Sequence, residues 1–182
     1  MAARIIIISG ACGTGKSTVS KLLAENSDCN LTVRVHTDDF YGYIRKGYTE
    51  PWKDESDDQN EIVIKAAAAS VKQFSAGGYE VYVDGVIGPW FLRQWLKLAE
   101  EDFDVRYIIL QPDEETTVFR AANRTQNEDF PLDEAAVRKM RRMFADLSGY
   151  EDNAVDTTNQ NASESAELLK KLLDSGKFRI SK

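Results

Sequence analysis

The sequence predicts a single α/β domain in which helices cover both faces of a parallel sheet. Three observations predict it. Short β-branched runs alternate with helical stretches, the first run leads straight into a glycine-rich turn and a helix, and 182 residues suit one core. Such alternation gives right-handed βαβ crossovers, hence a three-layer α/β/α arrangement.

Arg4 to Ile8 is continuously apolar, as a strand buried on both faces requires. Val19, Leu22 and Leu23 then recur at helical spacing to about Asn26, and Leu31 to Val35 reads as a second strand. Thr37 to Asp58 has no clean period but carries Phe40, Tyr41, Tyr43, Tyr48 and Trp52. A loop of that length is usually functional or mobile. A helix from about Gln59 to Ser75 is stopped by Gly77-Gly78. Tyr79 to Asp84 reads as a third strand, Pro89 opens a helix to about Glu100, and Val105 to Leu110 reads as a fourth strand. Pro112 and the acidic run Asp113 to Glu115 start the next helix. A polar gap from Thr125 to Pro131, a helix from Asp133 to Leu147, a fifth strand from Ala154 to Thr157 and a last helix from Ser163 to Asp174 complete the chain. No internal repeat or second core interrupts residues 1–182, which read as one domain.

Composition narrows the partners. The apolar fraction of 42% and charged fraction of 29% are those of a globular chain, not a disordered one. A net charge of −7 denies the molecule the broad positive surface that non-specific nucleic-acid binding needs, so no nucleic acid is expected. No apolar run approaches the roughly 20 residues that span a membrane. The four isoleucines before Ser9 are too few for a signal-peptide core. Cys12 and Cys29 show no metal-ligand spacing and read as reduced thiols of a cytoplasmic protein.

Gly10-Ala11-Cys12-Gly13-Thr14-Gly15-Lys16-Ser17 fits the pattern G-x-x-x-x-G-K-[ST], with Thr18 next in the helix. Glycines let backbone N–H groups crowd phosphates without Cβ clashes. Lys16 reaches the β- and γ-phosphates of ATP, and the Ser17 hydroxyl can ligate Mg²⁺. The helix that starts at the lysine adds the positive end of its dipole. A chance match is countered by context, since a β-branched strand precedes the pattern and an amphipathic helix follows it.

A phosphate loop does not say what becomes of the γ-phosphate. No N-K-x-D guanine motif is present, and Asp84-Gly85-Val86-Ile87 is not D-x-x-G, which argues against a GTPase switch. Tyr79 to Val83 ends in Asp84 as a Walker B strand does, making Asp84 a candidate for Mg²⁺ or its waters. Gly85 follows it, not the water-activating Glu of many ATPases. Thr37-Asp38-Asp39-Phe40-Tyr41 follows the second strand and puts carboxylates at the C-terminal edge of the sheet, where α/β proteins bind ligands.

This phosphate loop, the Asp38-Asp39-Phe40-Tyr41 stretch, and Arg120 with Arg124 after the fourth strand together resemble the small P-loop kinases. Uridine kinase, gluconate kinase, zeta toxin and chloramphenicol phosphotransferase are similar in order of elements over nearly the whole chain. Asp84 to Phe91 also resembles ATP-binding proteins labelled as AAA-family ATPases or kinases. The resemblance implies a P-loop NTPase fold with a five-stranded parallel sheet of order 2-3-1-4-5. It implies that Asp38 faces an acceptor hydroxyl as general base. From the residues alone, Asp39 is the alternative base or stands behind the metal, and a pair that merely caps the segment in solvent is the competing reading. It further implies a short lid around 120–132 whose Arg120 and Arg124 close on the phosphates. Thr157-Thr158-Asn159 falls where such kinases contact adenine.

Phe40, Tyr41, Trp90, Phe91 and Arg93 lie on segments expected at the cleft, although aromatics there are as often core. His36 reads as a satisfied structural histidine, and Arg138, Arg141 and Arg142 as a solvated helix face. The implied activity is transfer of the γ-phosphate of ATP, with Mg²⁺, to a hydroxyl of a nucleoside, sugar or antibiotic. The competing reading is a regulatory protein that hydrolyses ATP slowly and has no acceptor.

Overall fold

Ile5, Ile6, Ile7 and Ile8 are all fully buried, and their alternation sets the centre of the molecule. The computed structural model describes residues 3–123 and 134–180. The four isoleucines lie in β1 (Arg4–Ser9). β1 pairs in parallel with β3 (Glu80–Asp84) on one side and β4 (Asp104–Leu110) on the other. β2 (Thr32–His36) lies outside β3, and the short β5 (Ala154–Val155) outside β4. The order β2-β3-β1-β4-β5 is the one the resemblance implied.

Ile5 and Ile7 point into one core with Ile64, Ala68 and Val71 of α2 (Asp57–Ala76), and with Trp95 and Leu98 of α3 (Arg93–Glu100). Ile6 and Ile8 point into the other, with Val19 and Leu23 of α1 (Lys16–Glu25), and Leu169 and Leu173 of α6 (Ala162–Asp174). Each isoleucine withdrawn from water stabilises the fold by about 1.5–3 kcal/mol. α4 (Glu114–Ala122) packs on α5 (Glu134–Met143), whose Met140 adjoins the first core. No helix among the described residues is long and apolar enough to cross a membrane.

Element ends follow local chemistry. The Asp113 side chain caps α4 by accepting from the Thr116 N–H, and Asn161 with Glu164 forms a reciprocal capping box on α6. Four expectations are corrected. The segment after β2 is not one irregular loop but holds 3-10 turns at Thr37–Tyr43 and Asp54–Ser56. The helix expected from Pro89 is a 3-10 turn, Pro89–Phe91, followed by α3. α5 stops at Met143, because Phe144 and Ala145 bond back three residues to Arg141 and Arg142 and tighten the chain. β5 ends at Val155, because Asp156 turns the chain by accepting from the Thr158 N–H at 2.8 Å.

Candidate active site at the phosphate loop

The loop after β1 takes its shape from glycine. Gly10, Gly13 and Gly15 have φ of 141°, 85° and 90°, a region that other residues rarely adopt. A Cβ on Gly13 would lie 2.3 Å from the Thr117 carbonyl oxygen, so α4 packs directly on the loop. Gly15 instead has nothing within 4 Å of where a Cβ would be, so the loop is open at the start of α1. No side chain caps that helix, and its first bond runs from Val19 N–H to the Gly15 carbonyl at 3.0 Å. The N–H groups of Lys16, Ser17 and Thr18 therefore have no intrahelical acceptor. Open backbone donors beside a buried lysine are the donor set that a phosphate requires.

Inside the loop, Lys16 Nζ donates to the Ala11 carbonyl at 2.9 Å, and Thr14 Oγ1 donates to the same oxygen at 3.0 Å. Ala11 and Cys12 are buried, and the Cys12 N–H donates to Met140 Sδ at 3.2 Å, bringing α5 onto the loop. Cys29 is an exposed free thiol.

Beside the loop lies a charge cluster built on the pairing of His36 with Asp84 across β2 and β3. Asp84 is fully buried. Its Oδ1 accepts from Ser20 Oγ at 2.7 Å and Arg34 Nε at 2.8 Å. Its Oδ2 accepts from Arg34 Nη2 at 3.0 Å and lies 2.7 Å from His36 Nδ1. Burial alone would raise the Asp84 carboxyl, but hydrogen bonds from His36 and Arg34 outweigh it and hold it well below the usual carboxylate range. Burial likewise opposes the imidazolium, yet the hydrogen bond to Asp84 and the charges of Asp84, Asp38 and Asp39 raise His36 above its ordinary value. Both Asp84 oxygens are thus engaged by protein donors.

The signs of these shifts give a testable profile. The stabilisation from Asp84 is present above its unfolded value near pH 4 and lost as pH falls through its depressed folded value. That from His36 is complete below about pH 6.5 and lost as pH rises through its raised folded value. The Tm difference between wild type and Asp84→Asn should therefore be largest between about pH 4 and pH 6.5 and shrink on both sides. A difference independent of pH would contradict the cluster.

Asp38 and Asp39 are exposed at the start of the 3-10 turn that follows β2. Thr37, buried beneath them, abuts Gly85, where a Cβ would fall 1.9 Å from Thr37 Oγ1. Gly85→Ala should therefore displace the turn that carries Asp38 and cost about 1–3 kcal/mol, the usual range for overpacking. Urea unfolding measures it, and an unchanged midpoint would show that Thr37 yields freely.

Arg120 is held by backbone carbonyls. Its Nη2 donates to the Thr157 carbonyl at 3.0 Å and the Gln160 carbonyl at 2.8 Å, tying α4 to the loop after β5. Arg120→Ala should lower Tm by several degrees, about 1–2 kcal/mol for lost charge-assisted bonds in a domain of this size. An unchanged Tm would mean that these bonds add nothing. Arg124 lies outside the described residues, as does most of the expected lid.

Among the aromatic candidates, Tyr41 donates to Asn60 Oδ1 at 2.9 Å, while Phe40 and Phe91 pack against the core. Trp90 is half-exposed over Phe144, with ring centroids 5.2 Å apart. Arg93 pairs with Glu61 at the surface of α2. Arg138 pairs with Glu114, Glu115 and Glu134. An open, apolar hollow of about 420 Å³ lies between the 3-10 turn and α2, lined by Phe40, Tyr43, Ile44, Ile62, Val63 and Ala66.

A family model described as AAA domain matches residues 6–142, more than half of the chain. The chain belongs to this AAA-domain family. No curated protein matches it. Among solved structures, the AAA-domain chain is similar to a chain of the Pnkp1/Rnl/Hen1 RNA repair complex, with 22% identity and a TM-score of 0.61. That match covers 78% of this chain but only 44% of the other, so the chain spans less than half of that relative's length. It is also similar to the shikimate kinase of Acinetobacter baumannii in complex with shikimate, at 19% identity and TM-score 0.61, covering 98% and 97% of the two chains. A gluconokinase from Sinorhizobium meliloti matches at 17% identity and TM-score 0.60, covering 97% and 98%. Likeness at these identities establishes the fold.

Sequence reasoning missed Ser20 and Arg34 in this AAA domain and read His36 as a satisfied structural histidine without naming Asp84 as its partner. The signal was present in the alternation of β2. Arg34 and His36 are two apart, so they share a sheet face, and parallel pairing of β2 with β3 places that face beside Asp84.

Proposed function

We propose that the protein is an ATP-dependent phosphotransferase that moves the γ-phosphate to a hydroxyl of a small molecule. The observation that carries this reading is the conjunction of an open phosphate loop with an exposed carboxylate, Asp38, at the same edge of the sheet. The loop donors of residues 13–18 and Lys16 would hold the ATP phosphates. The Ser17 hydroxyl would hold Mg²⁺, which supplies charge neutralisation as the phosphoryl group leaves. Asp84 would then serve as the anchor of Arg34 and His36, not as a ligand.

Asp38 would accept the proton of the acceptor hydroxyl as the new P–O bond forms and the β–γ bridge breaks. Arg124, with residues 120–132 as lid, would neutralise charge in the transition state. Arg120 would shape the adenine side through the Thr157–Gln160 loop. The apolar hollow behind Phe40 supports an acceptor with an apolar part, and the net charge of −7 favours a small molecule over a nucleic-acid end.

A thermal-shift screen tests the pairing of sites. Nucleosides, sugars and antibiotics are added to protein already holding Mg²⁺ and a non-hydrolysable ATP analogue. A compound that binds the native state raises Tm by mass action. The reading expects the analogue to raise Tm alone and an acceptor to raise it further. No shift with the analogue at millimolar concentration would remove the nucleotide site.

A further inference from the structure

We propose that His36 positions Asp38: its imidazole, anchored through Nδ1 on the buried Asp84, presents Nε2 to the Asp38 carboxylate. The inference rests on reading Asp38 as the base toward the acceptor, and adds the residue that aims it.

A carboxylate on an exposed turn has several accessible rotamers, and a base must be held in one orientation to work. Asp38, with a side chain 54% exposed, has two neighbours in position to do this. Thr37 Oγ1 reaches its Oδ1 at only 3.4 Å, a weak contact. His36 Nε2 lies 3.7 Å from its Oδ2, beyond a hydrogen bond but within ion-pair range, and a small rotation of the exposed carboxylate closes that gap.

His36 is itself fixed. Its Nδ1 is 2.7 Å from Asp84 Oδ2, and Asp84 is held by Arg34 and Ser20 at 2.7–3.0 Å. From Asp84 through His36 to Asp38 the side-chain exposure rises from 0% to 22% to 54%. The second imidazole nitrogen, Nε2, lies on the Asp38 side of the ring, 3.7 Å from that carboxylate. With Nδ1–H given to Asp84, a protonated imidazole offers Nε2–H to Asp38. The charges around it are Asp84 from β3, Arg34 from β2, and Asp38 and Asp39 from the turn.

Two variants separate the two ends of the imidazole. His36→Asn keeps a donor near the Nδ1 position for Asp84 but cannot reach Asp38, whereas His36→Gln keeps the reach and loses the anchor. The measurement is the χ1 population of Asp38, read from side-chain-to-backbone NMR couplings on the intact protein. The expected result is one dominant rotamer in wild type, averaged couplings in His36→Asn, and partial return in His36→Gln. Averaged couplings in wild type, or one rotamer kept in His36→Asn with the fold intact, would overturn the proposal. The chain's single histidine makes its imidazole signal unambiguous, and Asp38→Asn should move it. The rotamer result stands apart from catalysis. If Asp38→Asn leaves phosphoryl transfer intact, the base reading fails while the positioning is still measured. If Asp38→Asn abolishes transfer, His36→Asn should lower kcat about tenfold with the acceptor KM unchanged, and an unchanged kcat would overturn the functional half of the proposal.

Discussion

Lys16→Ala should weaken Mg·ATP binding by about 10²-fold while leaving the fold intact, because one full charge at the phosphates is worth about 1.5–3 kcal/mol. The local structure explains why folding should survive. The Lys16 ammonium is buried against the Ala11 carbonyl, an acceptor that Thr14 Oγ1 also serves, so truncation leaves no orphaned group there. The open end of the loop at Gly15 and the uncapped start of α1 also remain in the variant. Residual affinity would come from those backbone donors alone. Isothermal titration with Mg·ATP measures the loss. Affinity within a few-fold of wild type would mean that the loop does not hold phosphates.

Asp38→Asn should lower phosphoryl transfer by roughly 10²–10⁴-fold, the usual contribution of a positioned base. Mg·ATP affinity should stay within a few-fold, since Asn keeps the size of the side chain and the ATP contacts lie on the phosphate loop. Background hydrolysis needs no acceptor proton and should change far less. Asp39→Asn, on the same turn and also exposed, is the matched control. Equal loss of hydrolysis and transfer would point to a failure of metal binding or of the turn. Retained transfer would remove Asp38 from the mechanism.

How much of this was legible in the sequence depended on whether the determinants were local. β1 could be read because four consecutive β-branched isoleucines, in a short run ended by a glycine-rich turn, suit a strand covered on both faces. The phosphate loop could be read because its glycines are required by backbone shape, which residue type reports directly. The role of Asp84 could not. A strand ending in Asp looks the same whether the carboxylate meets a metal or a guanidinium, and Arg34 lies fifty residues away in sequence. Arg120 illustrates the same limit. Its position after β4 fitted a lid arginine, but its partners are backbone carbonyls, which carry no residue signature. The 3-10 turn at Thr37–Tyr43 was hidden because its periodicity is short and its fixing contact, Gly85 on Thr37, is a long-range one.

The most direct test of phosphoryl transfer compares ADP formation with phosphate release, using purified protein, Mg·ATP and a panel of nucleosides, sugars and antibiotics. Transfer to a hydroxyl produces ADP without inorganic phosphate, together with an acceptor heavier by one phosphoryl group. The account predicts that at least one acceptor raises ADP formation about 10²-fold or more above background, with phosphate release unchanged. ADP and phosphate released in equal amounts, at a rate that no acceptor alters, would contradict it and leave a slow ATPase.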